Sequence, residues 1–592
     1  MKFSDLNDEQ KAAVKCQDNL LLTACPGSGK TRVITHKVAW EIDNLSSPKQ
    51  KVIALTFTIR AAEEIERRLE KENVDPSRFW IGNIHAFCLN WILRQYSSFY
   101  EKTKKGFTVI DSVKSDEILG DICDRLGFDK KKVLWNLERR IKPDGTFLEL
   151  KPDMLQILKE YATHLEQNRF VDFDRLLFYS FDLLCKYPKI GTTLSSIIPV
   201  ILVDEYQDTQ ELQYQIIFQI FRQGKGKTRV CFVGDPDQAI YGSLGGVAKT
   251  KSELEQGLGC EILQDSLPGN YRSTQRVIDF YRNFQNQDLK IVARGEYANE
   301  PGYIALNDAI HRDELVDRLK YLIEGYLEKG IKENEICVLV PQWYLVMGIA
   351  GQLRQAMPEI PIDATGVGPM SANRDNFFYK LTRILMTEPS PRVYSLRIKW
   401  AKELIGELIH YYADPSLQEN ISPRDFLKTC NNIHSEESDL VDYLNHCFKQ
   451  FFEGFGLGAN PGIETNLSSY ISGINKRIKD DGYALSSDVE TFRNFFKEAR
   501  GVVISSCHGV KGEEFEVVIA FGLVFGHLPH WGAFYSKEID HDDTAKKLLY
   551  VICSRAKRYL HLISERGRGK KDEDLETTHQ LAEITFDYDD LL

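Results

Sequence analysis

Ala24-Cys25-Pro26-Gly27-Ser28-Gly29-Lys30-Thr31 is the stretch whose reading decides the fold. It follows the apolar run Leu20-Leu21-Leu22-Thr23, which reads as a buried strand. It leads into Thr31 to Trp40, which reads as a helix. A strand, a glycine-rich turn, Lys-Thr and a helix make a cradle for polyphosphate. Gly27 and Gly29 let backbone N–H groups turn inward, and the helix N-terminus faces the anion. Lys30 would reach the β- and γ-phosphates, and the Thr31 hydroxyl would bind Mg²⁺. The pattern G-x-x-x-x-G-K-[ST] is complete except at its first position, where Ala24 stands for glycine.

Further strands follow outward from this loop. Val52 to Thr56, Ile197 to Val203 and Val230 to Val233 are short and apolar, and each ends in polar or Gly-containing sequence. That is the signature of parallel strands in an α/β sheet, with ligands gathered at their carboxyl ends. Asp204-Glu205 closes one of these runs. An acidic residue there is what Mg²⁺ coordination requires, and Glu205 is placed to polarise the attacking water. The phosphate loop and this acidic pair together predict ATP hydrolysis. A second α/β pattern comes later, with strands at Ile336 to Val340 and Val517 to Ala520. A polar, mostly helical stretch from about 385 to 495 interrupts it, as one from roughly 90 to 195 interrupts the first.

Composition bounds the rest. A chain of 592 residues, 43% hydrophobic and 27% charged, predicts a multidomain globular protein. No apolar run approaches the ~20 residues of a membrane helix, so no membrane partner is expected. Met1-Lys2-Phe3-Ser4-Asp5 carries no signal-like stretch. Twelve cysteines are scattered without metal-ligand spacing, which fits reduced thiols in a cytoplasm. The net charge of −11 argues mildly against a passive polyanion binder but not against a local basic groove. Basic clusters occur at Lys102, Lys104 and Lys105, at Lys130, Lys131 and Lys132, and at Arg139, Arg140 and Lys142. Taken singly, each reads first as a solvated helix face.

Val203-Asp204-Glu205-Tyr206-Gln207-Asp208-Thr209 closely resembles motif II of the UvrD/Rep/PcrA-type superfamily 1 helicases. Seven more stretches resemble the family's other motifs, in its order: Leu6 to Gln10, Thr56 to Glu64, Asn83 to Cys88, Val233 to Tyr241, Asn270 to Ser273, Ser506 to Phe515 and Leu549 to Lys557. The resemblance implies two RecA-like parallel-sheet lobes of the P-loop NTPase kind, each with a mainly helical insertion. The implied boundaries are 1–90 and 196–267 for the first lobe and 91–195 for its insertion. The second lobe takes 268–385 and 496–570, its reduced insertion 386–495, and an acidic, flexible tail 571–592. It further implies ATP and Mg²⁺ between the lobes, single-stranded or partly duplex DNA across their tops, and 3′→5′ movement.

Residue roles carry over on the same basis. Gln10 would read the adenine edge and Tyr271 stack on the base. Ala24, Pro26, Gly27, Ser28, Gly29, Lys30, Thr31, Arg32 and Glu514 would line the nucleotide. Asp204 and Thr31 would hold the metal, Gln238 would sense the γ-phosphate, and Arg272 and Arg555 would reach it from the second lobe. An arginine delivered across a cleft neutralises transition-state charge and makes chemistry depend on closure. Phe57 and His85 would contact DNA bases and backbone, with core packing the competing reading of Phe57. Thr56, Thr58, Arg60 and His508 would hold phosphates without reading sequence.

The sequence departs from the family after Tyr241, where Gly242-Ser243-Leu244-Gly245-Gly246 replaces an aromatic followed by Arg-Gly-Ala. Ser243 stands where relatives stack a ring on a base, and Tyr241 is the available substitute. Glu513 stands where relatives commonly have Leu. The short second insertion resembles the helicase-like subunit of Gabija anti-phage systems, which works beside an ATPase–TOPRIM (OLD-type) nuclease. An alternative reading is a DNA-sensing ATPase that regulates such a nuclease with little unwinding.

Overall fold

The structure is a computed structural model and describes residues 3–149, 151–364, 376–391, 393–412, 414, 417, 421–480, 489–493, 496, 501–530, 540–569 and 573–592. Two six-stranded sheets form its frame. The first contains β1 (Leu20–Ala24), β2 (Val52–Leu55), β3 (Phe79–Gly82), β4 (Val200–Asp204), β5 (Arg229–Gly234) and β6 (Leu263–Leu267). They lie in the order β3-β2-β4-β5-β1-β6, every pairing parallel. The second contains β7 (Tyr303–Asn307), β8 (Ile336–Val340), β9 (Ile362–Ala364), β10 (Val502–Ser506), β11 (Phe515–Ala520) and β12 (Ala556–Ile563). Their order is β7-β12-β11-β8-β10-β9, again parallel throughout.

The apolar runs form strands because both faces of each sheet are covered. Successive side chains point to opposite faces. Leu21, Ile53, Val203 and Phe232 therefore pack on one side of the first sheet, with helices Phe173–Lys186, Pro188–Ile197 and Glu211–Gly224. Leu20, Leu22, Ala54 and Leu202 pack on the other. There they meet α1 (Asp8–Lys15), α2 (Lys30–Asp43) and α3 (Ile59–Lys71). The second sheet divides in the same way, with Leu339, Val518 and Leu560 on one face and Val338, Val517 and Ile519 on the other.

Two helical bodies stand apart from the sheets. One is built on Ile118, Leu119, Tyr161 and Leu165 from helices Ser112–Leu126 and Pro152–Asn168. The other spans Phe377 to Phe492 and has its own core, including Phe378, Leu404, Phe448 and Ile474. The second body leans on the first: Ser469 Oγ donates to Asp111 Oδ1 at 2.5 Å, and Asn376 donates to the same carboxylate. It also reaches α3, where Arg383 meets Glu63 at 3.3 Å and Lys399 meets Glu66.

The end of the chain departs from the expectation of a flexible tail. Phe586 and Tyr588 pack against Phe280, with ring centroids 4.9 and 5.9 Å away. Asp589 pairs with Arg276 at 3.0 Å and accepts the Ile304 N–H at 2.7 Å. The acidic composition hid two aromatics at alternating positions and a carboxylate with a basic partner. Phe586→Ala is expected to cost about 1–2 kcal/mol of stability. Urea denaturation checks this, and an unchanged midpoint would mean that the segment is not docked in solution.

Candidate nucleotide and nucleic-acid site

The carboxyl ends of the first sheet carry the phosphate loop. Gly27 and Gly29 take left-handed backbone angles, with φ of 68° and 81°. A Cβ on Gly27 would lie 2.6 Å from the Cβ of Arg272, and one on Gly29 would lie 2.9 Å from Nε2 of Gln10. Glycine is therefore required twice over, by conformation and by space. Gln10 is buried and braces the loop from behind: its Nε2 donates to the Ser28 carbonyl at 2.9 Å, while its Oε1 takes the Asn7 N–H in a capping box on α1. The Ser28 hydroxyl is buried without a partner among the described residues. Lys30 Nζ donates to the Ala24 carbonyl at 3.3 Å. Thr31 lies one residue on, in the first turn of α2. Arg32 points outward and donates to the Asp5 carbonyl.

Asp204 ends β4, and Glu205 follows in a left-handed conformation, φ 51°, which a non-glycine residue seldom adopts. Burial, reinforced by the Glu205 charge, pushes the Asp204 carboxyl up to about 7. Burial pushes Glu205 the same way, but the charges of Lys30, Lys511 and Arg555 outweigh it and hold that carboxyl below its usual range. The Gln207 amide also donates to it at 2.5 Å. Two neighbouring carboxyls are thus pushed in opposite directions, Asp204 up and Glu205 down. Its field comes from both lobes, because Lys30 belongs to the first and Arg555 to the second.

The second lobe closes over this loop. Asn270 Nδ2 donates to the Pro26 carbonyl at 2.8 Å, and the Tyr271 N–H donates to the Gly27 carbonyl at 2.8 Å. Asn7 Nδ2 donates to the Tyr271 hydroxyl at 2.7 Å. Arg272 pairs with Glu514 at 2.8 Å and donates to the Ser554 carbonyl at 2.7 Å. Arg555 precedes β12 and is 1% exposed. Its guanidinium holds the Val551 and Glu513 carbonyls and donates to Gln238 Oε1 at 3.0 Å. Burial, then repulsion from Arg272, lowers Arg555 to about 9, so it stays protonated at neutral pH. Gln238 in turn donates to Asp235 at 2.6 Å. The sequence places ligands at the carboxyl ends of strands. In the second lobe Arg555 and Glu514 instead stand at the amino ends of β12 and β11.

A line of rings lies beside this cleft. Phe57, 36% exposed, stands 4.6 Å from Tyr241, and Tyr241 stands 5.4 Å from His508. The Tyr241 hydroxyl donates to the His508 carbonyl at 3.0 Å. Burial lowers the His508 imidazole, favouring the neutral form. The Lys511 ammonium sits 5.3 Å from the Tyr241 ring, donates to Asp208 at 2.5 Å and reaches the Gln238 carbonyl at 2.7 Å. One lysine thus touches the ring line, the motif II segment and the Gln238 that meets Arg555.

Among the other expected DNA contacts, the side chains described have partners within the protein. Thr56 is buried and donates to the Thr58 carbonyl, while Thr58 caps α3 through the Ala61 N–H. His85 packs against Phe173 at 5.5 Å, and burial lowers it to about 4, leaving it neutral. The Arg60 side chain lies outside the described residues. Ser243 and Leu244 form a short turn with Leu244 58% exposed. Asn7, Asn270, Asp208 and Lys511 were quoted in the sequence motifs without roles, and only their partners reveal them.

Residues 6–258 match the UvrD/REP helicase N-terminal domain, and residues 424–567 match the UvrD-like helicase C-terminal domain. The ATP-dependent DNA helicase PcrA of Staphylococcus epidermidis is 23% identical over 636 residues, covering 95% of this chain and 84% of that protein. PcrA of Staphylococcus aureus is 24% identical over 642 residues, covering 96% and 84%. With the family's N-terminal and C-terminal domains both matched and the lobes clasped around the phosphate loop, the chain belongs to the UvrD/PcrA-type superfamily 1, a family of ATP-dependent DNA helicases.

Proposed function

We propose that the protein couples ATP hydrolysis between its lobes to 3′→5′ movement along single-stranded DNA, separating duplex where it meets it. One observation carries this reading: Arg555, Gln238, Lys511 and Tyr241 form an unbroken chain of contacts from the nucleotide cleft to the ring line. A motor needs such a link, because hydrolysis must alter the grip on the track. The division into lobes 1–90 with 196–267 and 268–385 with 496–570 is part of the proposal.

ATP and Mg²⁺ suit the residues present. Bare backbone at Gly27 and Gly29, a partnerless buried Ser28 hydroxyl and a carboxyl strained by its neighbour form a cradle for anionic oxygens and a divalent cation. Thr31 and Asp204 would hold the cation, which supplies charge neutralisation to the phosphoryl group. Lys30, Arg272 and Arg555 bring positive charge to the same place, and Glu205 orients water. Phe57 and Tyr241 offer π-faces that accept any base, as sequence-independent movement demands. In this reading Tyr241 takes over the stacking that Ser243 cannot provide. Twelve cysteines, none in a disulfide, suit a cytoplasmic place. The further assignment, to a Gabija-type defence system beside a partner nuclease, rests on the trimmed second insertion.

A DNA-stimulated ATPase assay beside strand displacement tests the proposal. Substrates with a 3′ tail should be unwound and those with a 5′ tail spared. Strong ATPase with displacement of neither would point to the DNA-sensing role instead. Arg555→Ala should bind nucleotide but lose about 10³-fold or more in turnover. Normal turnover would remove Arg555 from the site. Asp204→Asn should abolish turnover and raise the melting temperature of the nucleotide-free protein above pH 7. The sign follows from the raised carboxyl: protonation stabilises the fold at acid pH, and that stability is lost as pH rises through about 7. The two proteins should melt alike near pH 4, and a constant difference across the range would contradict the assignment.

A further inference from the structure

We propose that the outer face of the short helix Lys130–Asn136 is a second contact for single-stranded DNA, in which Trp135 stacks on an unpaired base and Lys131 and Lys132 hold the flanking phosphates. This extends the motor reading above and rests on it. Three observations lead there.

Trp135 is 83% exposed, the most exposed of the large hydrophobic side chains described. A tryptophan so placed costs solubility and contributes nothing to the core. The helix is anchored from its other side, where Val133 is buried in the core shared with Ile118 and Tyr161. Trp135 therefore points outward from a seated element.

Position and charge give the second observation. Lys131 and Lys132 precede Trp135 by four and three residues, so all three share one helical face. Of the other basic residues in these clusters, Lys102 pairs with Glu166, Lys104 with Glu101, Lys130 with Asp124, Arg139 with Asp116 and Arg140 with Glu138. Lys131 and Lys132 are exposed and have no carboxylate partner among the described residues. Two unpaired ammonium groups beside a bare indole match a phosphodiester chain carrying unstacked bases, since aromatic stacking tolerates every base and ammonium groups need only phosphate. An apolar protein partner would leave both charges uncompensated.

Continuity with the ring line is the third. Five residues after Trp135, Arg140 packs on the loop that follows Tyr241. A Cβ on Gly245 would fall 1.9 Å from the Arg140 guanidinium, which marks the close approach of the two, and Gly245 takes φ 86°, the left-handed region that favours glycine. Five residues span at most about 18 Å. A strand that leaves Tyr241 and follows this surface thus meets Trp135 beyond the stretch that fills the inter-lobe groove. Trp135 then adds a further ring on the insertion, beyond the one that Tyr241 supplies.

Binding to oligothymidylate of two lengths tests this, with the intact protein. A strand of about 10 nucleotides should fill the inter-lobe groove alone, and one of about 30 should also reach the insertion. Trp135→Ala should weaken the long strand about tenfold and leave the short one unchanged, in binding and in ATPase stimulation. Trp135→Tyr should restore the long-strand affinity. Lys131→Ala with Lys132→Ala should lower the salt dependence of long-strand binding by about 1.4 ions. Equal losses at both lengths, no loss at either, or a loss confined to blunt duplex would overturn the proposal. Failure of the unaltered protein to bind either strand would overturn the motor reading and this one together. Normal melting of the variants excludes misfolding, as all three side chains are solvent-facing.

Discussion

The ammonium of Lys511 is the contact on which the working of this molecule turns. It is almost wholly enclosed, and it satisfies a buried carboxylate and a backbone carbonyl of the opposite lobe. Burying such a charge is costly unless every donor finds an acceptor. Asp208 is itself pushed up to about 7, chiefly by burial, with Lys511 the largest opposing influence. The pair is therefore favourable only when the lobes are together. Drawing the lobes apart breaks this pair.

Parallel topology explains why such a cleft exists at all. In the first sheet every strand ends on the same edge, so the phosphate loop, Asp204, Thr56 and Asp235 emerge together. The second sheet presents the amino ends of β11 and β12 to that edge, delivering Glu514 from the loop between β10 and β11 and Arg555 from the turn between helix His541–Cys553 and β12. Rigid elements hold the charged groups, and the helical bodies are strung between strands where they do not disturb the sheet order. Arg555 gains further from the last carbonyls of helix His541–Cys553, whose dipole favours a cation there.

Much of this was legible in the residues. The phosphate loop announced itself because its glycines, lysine and threonine serve one local purpose, and local purposes leave local patterns. Both sheets were legible from short apolar runs, since burial on two faces demands them. What stayed hidden depends on partners distant in sequence. Nothing near Gln10 says that it will brace Ser28, and nothing near Asp208 says that Lys511 will find it, three hundred residues on. Thr58 carried two meanings, phosphate ligand and helix cap, and the cap is the one visible in its hydrogen bonds. The final segment misled because composition averages over residues, while docking depends on three of them.

That final segment has a consequence for the outermost strand of the second sheet. Among the described strands β7 pairs only with β12, so its other edge must be covered by something else. Asp589 accepts the Ile304 N–H through its side chain and donates its own N–H to the Ile304 carbonyl at 2.8 Å. The last residues thus serve as a selvedge: they finish the border of the sheet, so that a protein crowded along a nucleic-acid lattice does not knit itself to its neighbours.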